Sequence, residues 1–92
     1  YLAARNDLRL IGPRDAAGRA PTVAVALGRD AEPVSQALAR EGINCWAGDF
    51  YARRPLEAMG VDIGQGVLRL SFVHYTSAED VGRLIAALDR VL

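Results

Sequence analysis

Residues 66–92, GVLRLSFVHYTSAEDVGRLIAALDRVL, contain the clearest secondary-structure signals of the sequence. Between residues 67 and 73 successive side chains fall on opposite faces, as they do in a strand, and three large apolar residues share one face. The apolar face holds Leu68, Leu70 and Phe72, and the other face holds Val67, Arg69, Ser71 and Val73. The stretch therefore predicts a core strand that carries one arginine, Arg69, on the face away from its helix layer.

The second half of this stretch predicts a capped helix that packs against the apolar face of the strand. Ser77, followed three residues later by Asp80, has the form of a capping box. Apolar residues then recur at helical spacing, and burying three of them fully would contribute about 1.5–3 kcal/mol each. The apolar positions are Val81, Leu84, Ile85, Leu88 and Leu92, and the three expected in the core are Leu84, Ile85 and Leu88.

The preceding residues contain further strand and helix signals. The clearest is a strand over 22–27, in which larger apolar residues on one face alternate with Ala24 and Ala26 on the other. The other predicted elements are the tail of a helix over 1–6, a strand over 8–11, a helix over 31–40 capped by Asp30 and Gly42, a strand over 43–46, a loop over 48–54 and a single helical turn over 55–59.

Together these elements predict one α+β domain over residues 1–92. We expect a small sheet of three or four strands, with helices packed mainly on one of its faces. The strand, helix and strand over 22–46 follow one another closely, and this order is typical of a split βαβ unit.

Charge and composition exclude several classes of function. Eleven acidic residues balance eleven basic ones, so the chain has no basic field for nucleic acid or anionic lipid. All the basic residues are arginines, which excludes a lysine Schiff base to a carbonyl cofactor. With one cysteine and one histidine, a zinc site within the chain is not expected. No apolar run is long enough to span a membrane, and a cytoplasmic setting is expected.

Few residues have the setting of a catalytic group. Cys45 lies among apolar neighbours, which favours a small buried hydrophobe over a nucleophile or sulfur carrier. His74 has no nearby partner in sequence to orient it as a base, so we expect a turn histidine. The Arg53–Arg54 pair is typical of a solvated loop. Arg69 is the most informative charge, although composition alone favours an exposed edge-strand arginine there.

The ordered set of motifs nevertheless resembles a known family. AGDFYA at residues 47–52 and VLRLSFVHYTSAEDVGRLIAAL at 67–88 resemble the carboxy-terminal small domain of class V aminotransferases, which are fold-type I pyridoxal-phosphate enzymes. The similarity is strongest to the cysteine desulfurase and selenocysteine lyase group, and within it to the cysteine desulfurase-like proteins. RAPTVAVAL at 19–27 and EGINCWAGDFYA at 41–52 also resemble that subgroup.

The resemblance implies a substrate-binding role for three residues. In the family, the arginine of this strand binds the α-carboxylate of the amino-acid substrate, and the match assigns that role to Arg69. A guanidinium suits a carboxylate because it offers two parallel N–H bonds. Ser71 lies on the same predicted face and would support the arginine, and Tyr51 lies in the active-site loop. No residue of the chain is expected to be catalytic.

The sequence also departs from the family pattern. Desulfurases of this branch carry a sulfur-accepting cysteine in the loop, and Tyr51 occupies that position here, six residues after Cys45. Trp46 replaces the arginine that usually precedes the loop, and Thr76 replaces an asparagine that often follows the tyrosine. The cofactor lysine belongs to the family's large domain, which these residues do not include. Pyridoxal phosphate is thus expected in the full-length protein and not on this chain.

Two functional hypotheses follow. In the first, the chain is a carboxy-terminal piece of a larger enzyme, as its start without a methionine suggests, and contributes Arg69 and the loop to the substrate cleft. The expected partners are then its own large domain and an amino-acid substrate, in a homodimeric full protein whose isolated fragment is monomeric. In the second, the chain is a free-standing α+β module that binds an amino acid or a protein partner. Neither nucleic acid nor membrane is an expected partner.

Overall fold

The computed structural model describes residues 1–92 and contains a four-stranded antiparallel sheet with three α-helices. The strands lie in the order β1-β2-β4-β3. In chain order the elements are a 3-10 turn at Leu2–Ala4, β1 at Arg9–Ile11, β2 at Thr22–Ala26, α1 at Glu32–Arg40, β3 at Trp46–Gly48, α2 at Arg53–Ala58, β4 at Val67–Ser71 and α3 at Ala78–Val91.

Strand β4 lies between β2 and β3 and is antiparallel to both. Strands β2 and β3 therefore run in the same direction, are joined through α1, and are separated by β4. This is the arrangement of a split βαβ unit. The prediction of a small α+β domain is confirmed.

The main core lies between one face of the sheet and helices α1 and α3. Leu68 and Leu70 of β4 are almost fully buried there, as the alternation along the strand predicted. The remaining buried members are Val25, Leu27, Ala31, Val34, Leu38, Leu84, Ala87 and Leu88.

A smaller core covers part of the opposite face of the sheet. Leu56 of α2 packs there with Val61 and with Val67 of β4. Ala24 and Ala26 of β2 lie beneath this cluster, where their small side chains leave room for it. Two layers therefore cover β4 unequally, and α2 alone among the helices lies on the side that carries Arg69.

The prediction of β3 over 43–46 was wrong by three residues, because the end of α1 uses the backbone of Ile43. The N–H of Ile43 donates to Leu38 O and the N–H of Gly42 to Ala39 O, at 2.9 and 3.0 Å. This pair of bonds is the Schellman motif, with Gly42 in the left-handed region at φ 78°. Ile43 still packs against the main core.

The helix boundaries also differ from the predictions. Helix α2 begins at Arg53, so the arginine pair lies in its first turn and not in a loop. The N-terminal segment forms a 3-10 turn in place of a longer helix tail. Helix α1 begins after Ala31, although the Asp30 carboxylate still accepts a hydrogen bond from Glu32 N at 3.0 Å.

The core face of α3 is rotated from the predicted one. Ala87 is buried beside Leu84 and Leu88, whereas Ile85 is only half-buried and Val81 is 37% exposed. The reason is that α3 packs against α1 as well as against the sheet, which draws the Ala87 side of the helix inward.

The capping box of α3 is present as predicted. Ser77 Oγ accepts from Asp80 N at 3.1 Å, and Asp80 Oδ2 accepts from Ser77 N at 3.0 Å. The backbone hydrogen bond from Ser77 is the main cause that lowers the pKa of Asp80, and the Ser77 side chain adds to it. Both partners therefore stabilise the start of the helix.

We expect Ser77→Ala to lower the free energy of unfolding by about 1 kcal/mol, because it leaves one helix N–H without a partner.

Asp80→Ala should also destabilise the protein. Because folding lowers the pKa of Asp80, its contribution is present above the ordinary aspartate pKa of about 4 and is lost as the pH falls through the lowered value. Urea unfolding between pH 2 and 7 measures both effects. Glu79→Ala is the control, since Glu79 makes no side-chain hydrogen bond, and it should keep the pH dependence of the wild type. If the stability of Asp80→Ala depends on pH in the same way as that of Glu79→Ala, the prediction is contradicted.

Gly66 joins the second core to β4 and tolerates no side chain. Its φ is 66°, and an added Cβ would lie 3.0 Å from Gly48 Cα. We expect Gly66→Ala to destabilise the protein by at least about 1–2 kcal/mol, from the left-handed backbone alone. Gly82→Ala is the matched control, because Gly82 lies in α3 with open space around it. That variant should be more stable than the wild type by about 0.5–1 kcal/mol in the same thermal unfolding experiment, and a stable Gly66→Ala would contradict the prediction.

Candidate functional site

Arg69 lies midway along β4, where the cover on its face of the sheet ends. Val67 is 2% exposed beneath α2, Arg69 is half-buried, and Ser71 is exposed. The alternation of the strand puts these three side chains on one face, and Arg69 marks the boundary between the second core and an open surface. The predicted side of the sheet is therefore correct, while the arginine is neither at an edge strand nor fully in solvent.

The Arg69 guanidinium has no ionic or hydrogen-bonding partner in the chain. Arg69 forms none of the ion pairs of the structure and no side-chain hydrogen bond, and its Nε is buried without an acceptor. It makes one cation–π contact, with Phe50, whose ring centroid lies 4.1 Å from the guanidinium carbon. The terminal Nη groups are also unpaired but are not buried, so the donors of this cation that an anion can reach are free.

The loop between β3 and α2 holds Phe50 in an unusual backbone conformation. Phe50 and Tyr51 have φ values of 52° and 60°, and no other non-glycine residue has a positive φ. Such residues cost about 1–3 kcal/mol each and persist where the surrounding structure holds them. Asp49 holds the turn here, because its Oδ1 accepts from Tyr51 N at 3.1 Å and its O accepts from Ala52 N at 2.8 Å.

Two further polar or aromatic groups share the open face with Arg69. Trp46 of β3 is the direct cross-strand partner of Arg69, so its side chain lies on the same face, and it is 69% exposed. On the other side, Thr22 Oγ1 donates to Ser71 Oγ at 3.3 Å. The face thus presents a cation flanked by an exposed indole and a pair of hydroxyls.

The structure brings Arg69 and Ser71 to the same face but places Tyr51 apart from them. Tyr51 is fully exposed and lines a shallow depression on the outer side of the loop with Asp49, Arg53 and Arg54. It makes no hydrogen bond to Arg69 through its side chain. Phe50, which the sequence analysis passed over, is the loop residue that contacts the arginine. The only signal for it was the pair of neighbouring aromatics in GDFYA.

Cys45 and His74 lie outside this site. Cys45 is half-buried against the main core, its Sγ 3.7 Å from Ser35 Oγ, and burial raises the pKa of its thiol. His74 is exposed in the turn between β4 and α3, with its ring edge-on to that of Tyr75. Neither residue is oriented by a base or an acid, which agrees with the structural roles expected for both.

We expect the Cys45 thiol to react slowly with Ellman's reagent at pH 8, because its raised pKa leaves less thiolate than in an open chain. The chain contains a single cysteine, so the same protein unfolded in urea is its own control. Unfolding should accelerate the reaction. A folded protein that reacts as fast as the unfolded one, or faster, would show an activated thiol.

The comparison with known proteins identifies the family. The family model described as Aminotransferase class-V matches residues 1–84, and the chain belongs to that family. It is also similar to aminotransferase-like protein FGM3 of Gibberella zeae, with 33% identity over 98 aligned residues that cover all of this chain. The chain spans about a quarter, 24%, of the length of that relative.

Class V aminotransferases depend in general on pyridoxal phosphate, and this chain does not contain the lysine that would hold the cofactor aldehyde. The cofactor aldehyde needs a lysine amine, and the chain has no lysine. The uncovered cation, Arg69, lines no cavity of the chain. The arrangement has the charge and the free donors to bind and orient an anionic group at an open face.

Metal-binding clusters and membrane-spanning helices are both absent from the structure. No three His, Cys, Asp or Glu side chains are grouped so that they could hold a metal ion. None of the helices combines the length and the apolar character needed to cross a membrane.

Proposed function

We propose that this chain is the carboxy-terminal small domain of a pyridoxal-phosphate-dependent enzyme of the cysteine desulfurase-like group, and that Arg69 binds the α-carboxylate of its amino-acid substrate. The observation that carries the proposal is the unpaired guanidinium of Arg69, half-buried on a rigid central strand with a buried Nε that has no acceptor. Membership of the class V aminotransferase family supports it.

Arg69 acts by position in this proposal. A carboxylate in the plane of the guanidinium would accept two N–H bonds and neutralise the charge. Because β4 is hydrogen-bonded on both sides, its backbone is rigid and keeps Arg69 in a fixed position. Fixing the carboxylate orients the rest of the amino acid toward the reacting centre, which is a contribution to catalysis without a chemical step by Arg69.

The open face requires a second surface to complete the site. Arg69, Ser71 and Trp46 lie on a surface that no element of the chain closes, so the substrate would be enclosed only when another domain covers it. We propose that the large domain of the same protein covers this surface and supplies the cofactor with the lysine that binds it. We also propose that the full protein acts as a homodimer.

Sulfur transfer is not part of the proposed activity. A sulfur-accepting loop needs a thiolate, and the loop presents Tyr51, a phenol that cannot carry a persulfide. Cys45 is no substitute, because it faces the main core behind the sheet and its thiol pKa is raised. The desulfurase-like group is thus proposed for its substrate site, with a reaction on an amino acid that leaves no sulfur on this chain.

A free-standing binding module is the second candidate. Val25, Leu38 and Leu68 are fully buried by contacts within the chain, as in the core of a domain that folds by itself. Absorbance spectra of the protein that contains this chain distinguish the candidates. Added pyridoxal phosphate should give a protein-bound band that shifts with amino acids if the enzyme hypothesis is correct, and no band if the module is complete by itself.

In the full enzyme, Arg69→Ala should raise KM for the amino-acid substrate about 10- to 100-fold, because charge-assisted hydrogen bonds contribute about 1.5–3 kcal/mol. Arg69→Lys should recover only part of the loss, since an ammonium lacks the planar fork. Arg40→Ala is the matched control, because Arg40 is exposed on α1 and makes no hydrogen bond or ion pair. An unchanged KM for Arg69→Ala would contradict the assignment.

A further inference from the structure

The ring of Phe50 is the only side chain that makes a cation–π contact, ion pair or hydrogen bond with the Arg69 guanidinium. The guanidinium carbon lies 4.1 Å from the ring centroid, well inside the distance of about 6 Å over which such contacts attract. A ring against the face of a guanidinium uses none of its N–H donors, because they lie in the guanidinium plane, and the Nη groups of Arg69 are neither buried nor hydrogen-bonded. The contact therefore occupies the cation without using its hydrogen-bond donors.

Phe50 is held in this place by features of the chain on both sides of it. Its side chain packs against the second core, which is formed by Leu56, Val61 and Val67. Its backbone is in the left-handed region, in a turn that the Asp49 carboxylate braces through Tyr51 N. A phenylalanine is an unfavourable choice for that conformation, and glycine would be free of strain. The strained residue is thus the one whose ring lies against Arg69.

The two other aromatic residues near the arginine do not share this contact. Trp46 faces the same side as the cross-strand partner of Arg69 but makes no cation–π contact with it. Tyr51 is fully exposed on the outer side of the loop. Phe50 is consequently the one aromatic side chain that contacts the guanidinium.

We propose that Phe50 is a positioning residue for Arg69, holding its guanidinium plane so that the N–H edge is ready for a substrate carboxylate. The inference rests on the proposed function and extends it to the loop. Holding the side chain beforehand reduces the conformational freedom that is lost when the carboxylate binds. The ring also excludes water from one face of the cation, which strengthens its attraction for an anion.

The test measures KM and kcat for the amino-acid substrate, and competitive inhibition by acetate, in the full-length enzyme. Phe50→Leu keeps apolar bulk but removes the ring, so KM and the inhibition constant of acetate should rise about two- to fivefold with kcat unchanged. Phe50→Trp keeps the ring and should restore both values. Tyr75→Leu is the matched control, because Tyr75 is an exposed aromatic in the turn before α3 that makes no cation–π contact with Arg69.

A second pair of variants separates the two proposals. In an Arg69→Ala background, Phe50→Leu should add no further loss of acetate binding. If Arg69→Ala leaves acetate inhibition unchanged, the proposed function fails and this inference fails with it. If Arg69→Ala weakens acetate inhibition but Phe50→Leu does not, or if Phe50→Leu weakens the residual inhibition of the Arg69→Ala protein by the same factor, only the role of Phe50 is overturned.

A direct measurement covers the case in which Phe50→Leu does not fold. Phe50→Met is an unbranched apolar replacement, and it should give the same two- to fivefold weakening. In protein labelled with ¹⁵N-arginine, the Arg69 Nε–H proton resonance should lose its ring-current shift in either variant and keep it in Phe50→Trp. An unchanged resonance in a folded Phe50→Met protein would overturn the proposal, because the ring would then not lie on the cation.

Discussion

The burial of Leu68 and Leu70 between the sheet and helices α1 and α3 is the interaction on which the rest of the structure depends. Strand side chains alternate, so burying these two leucines in the main core turns Arg69 to the opposite face. A shift of one residue in the pairing of β4 would exchange the faces and bury the charge in the main core. The hydrophobic effect that forms the core therefore also determines which side of the sheet carries the cation.

The central position of β4 in the sheet restricts the movement of Arg69. Hydrogen bonds to β2 on one side and β3 on the other leave the strand little freedom to slide or twist. The same pairing brings Trp46 opposite Arg69 and Thr22 opposite Ser71, so the groups around the cation come from three strands. Close approach of Gly48 and Gly66 at the end of this pairing then leads the chain into the loop that carries Phe50.

The proposed site has the features of one half of a binding surface. A cation with unused donors, a strained loop and an exposed indole lie together on a face that the chain's own elements cover only as far as Val67. Membership of the class V aminotransferase family supports this proposal, and the chain aligns with about a quarter of the length of its relative. In the proposed function this domain orients a substrate, and we propose that the chemistry belongs to residues elsewhere in the protein.

The sequence by itself determined the α+β class, the β4–α3 unit, the capping box at Ser77 and the face on which Arg69 lies, because period-two and helical patterns are local properties of the chain. It misplaced β3 and α2 by two or three residues, since the end of α1 takes the backbone of Ile43 and the start of α2 takes the arginine pair. Only the tertiary structure decided that Phe50 and not Tyr51 contacts Arg69. That contact joins residues nineteen apart through a left-handed turn, which no alternation or spacing in the sequence encodes.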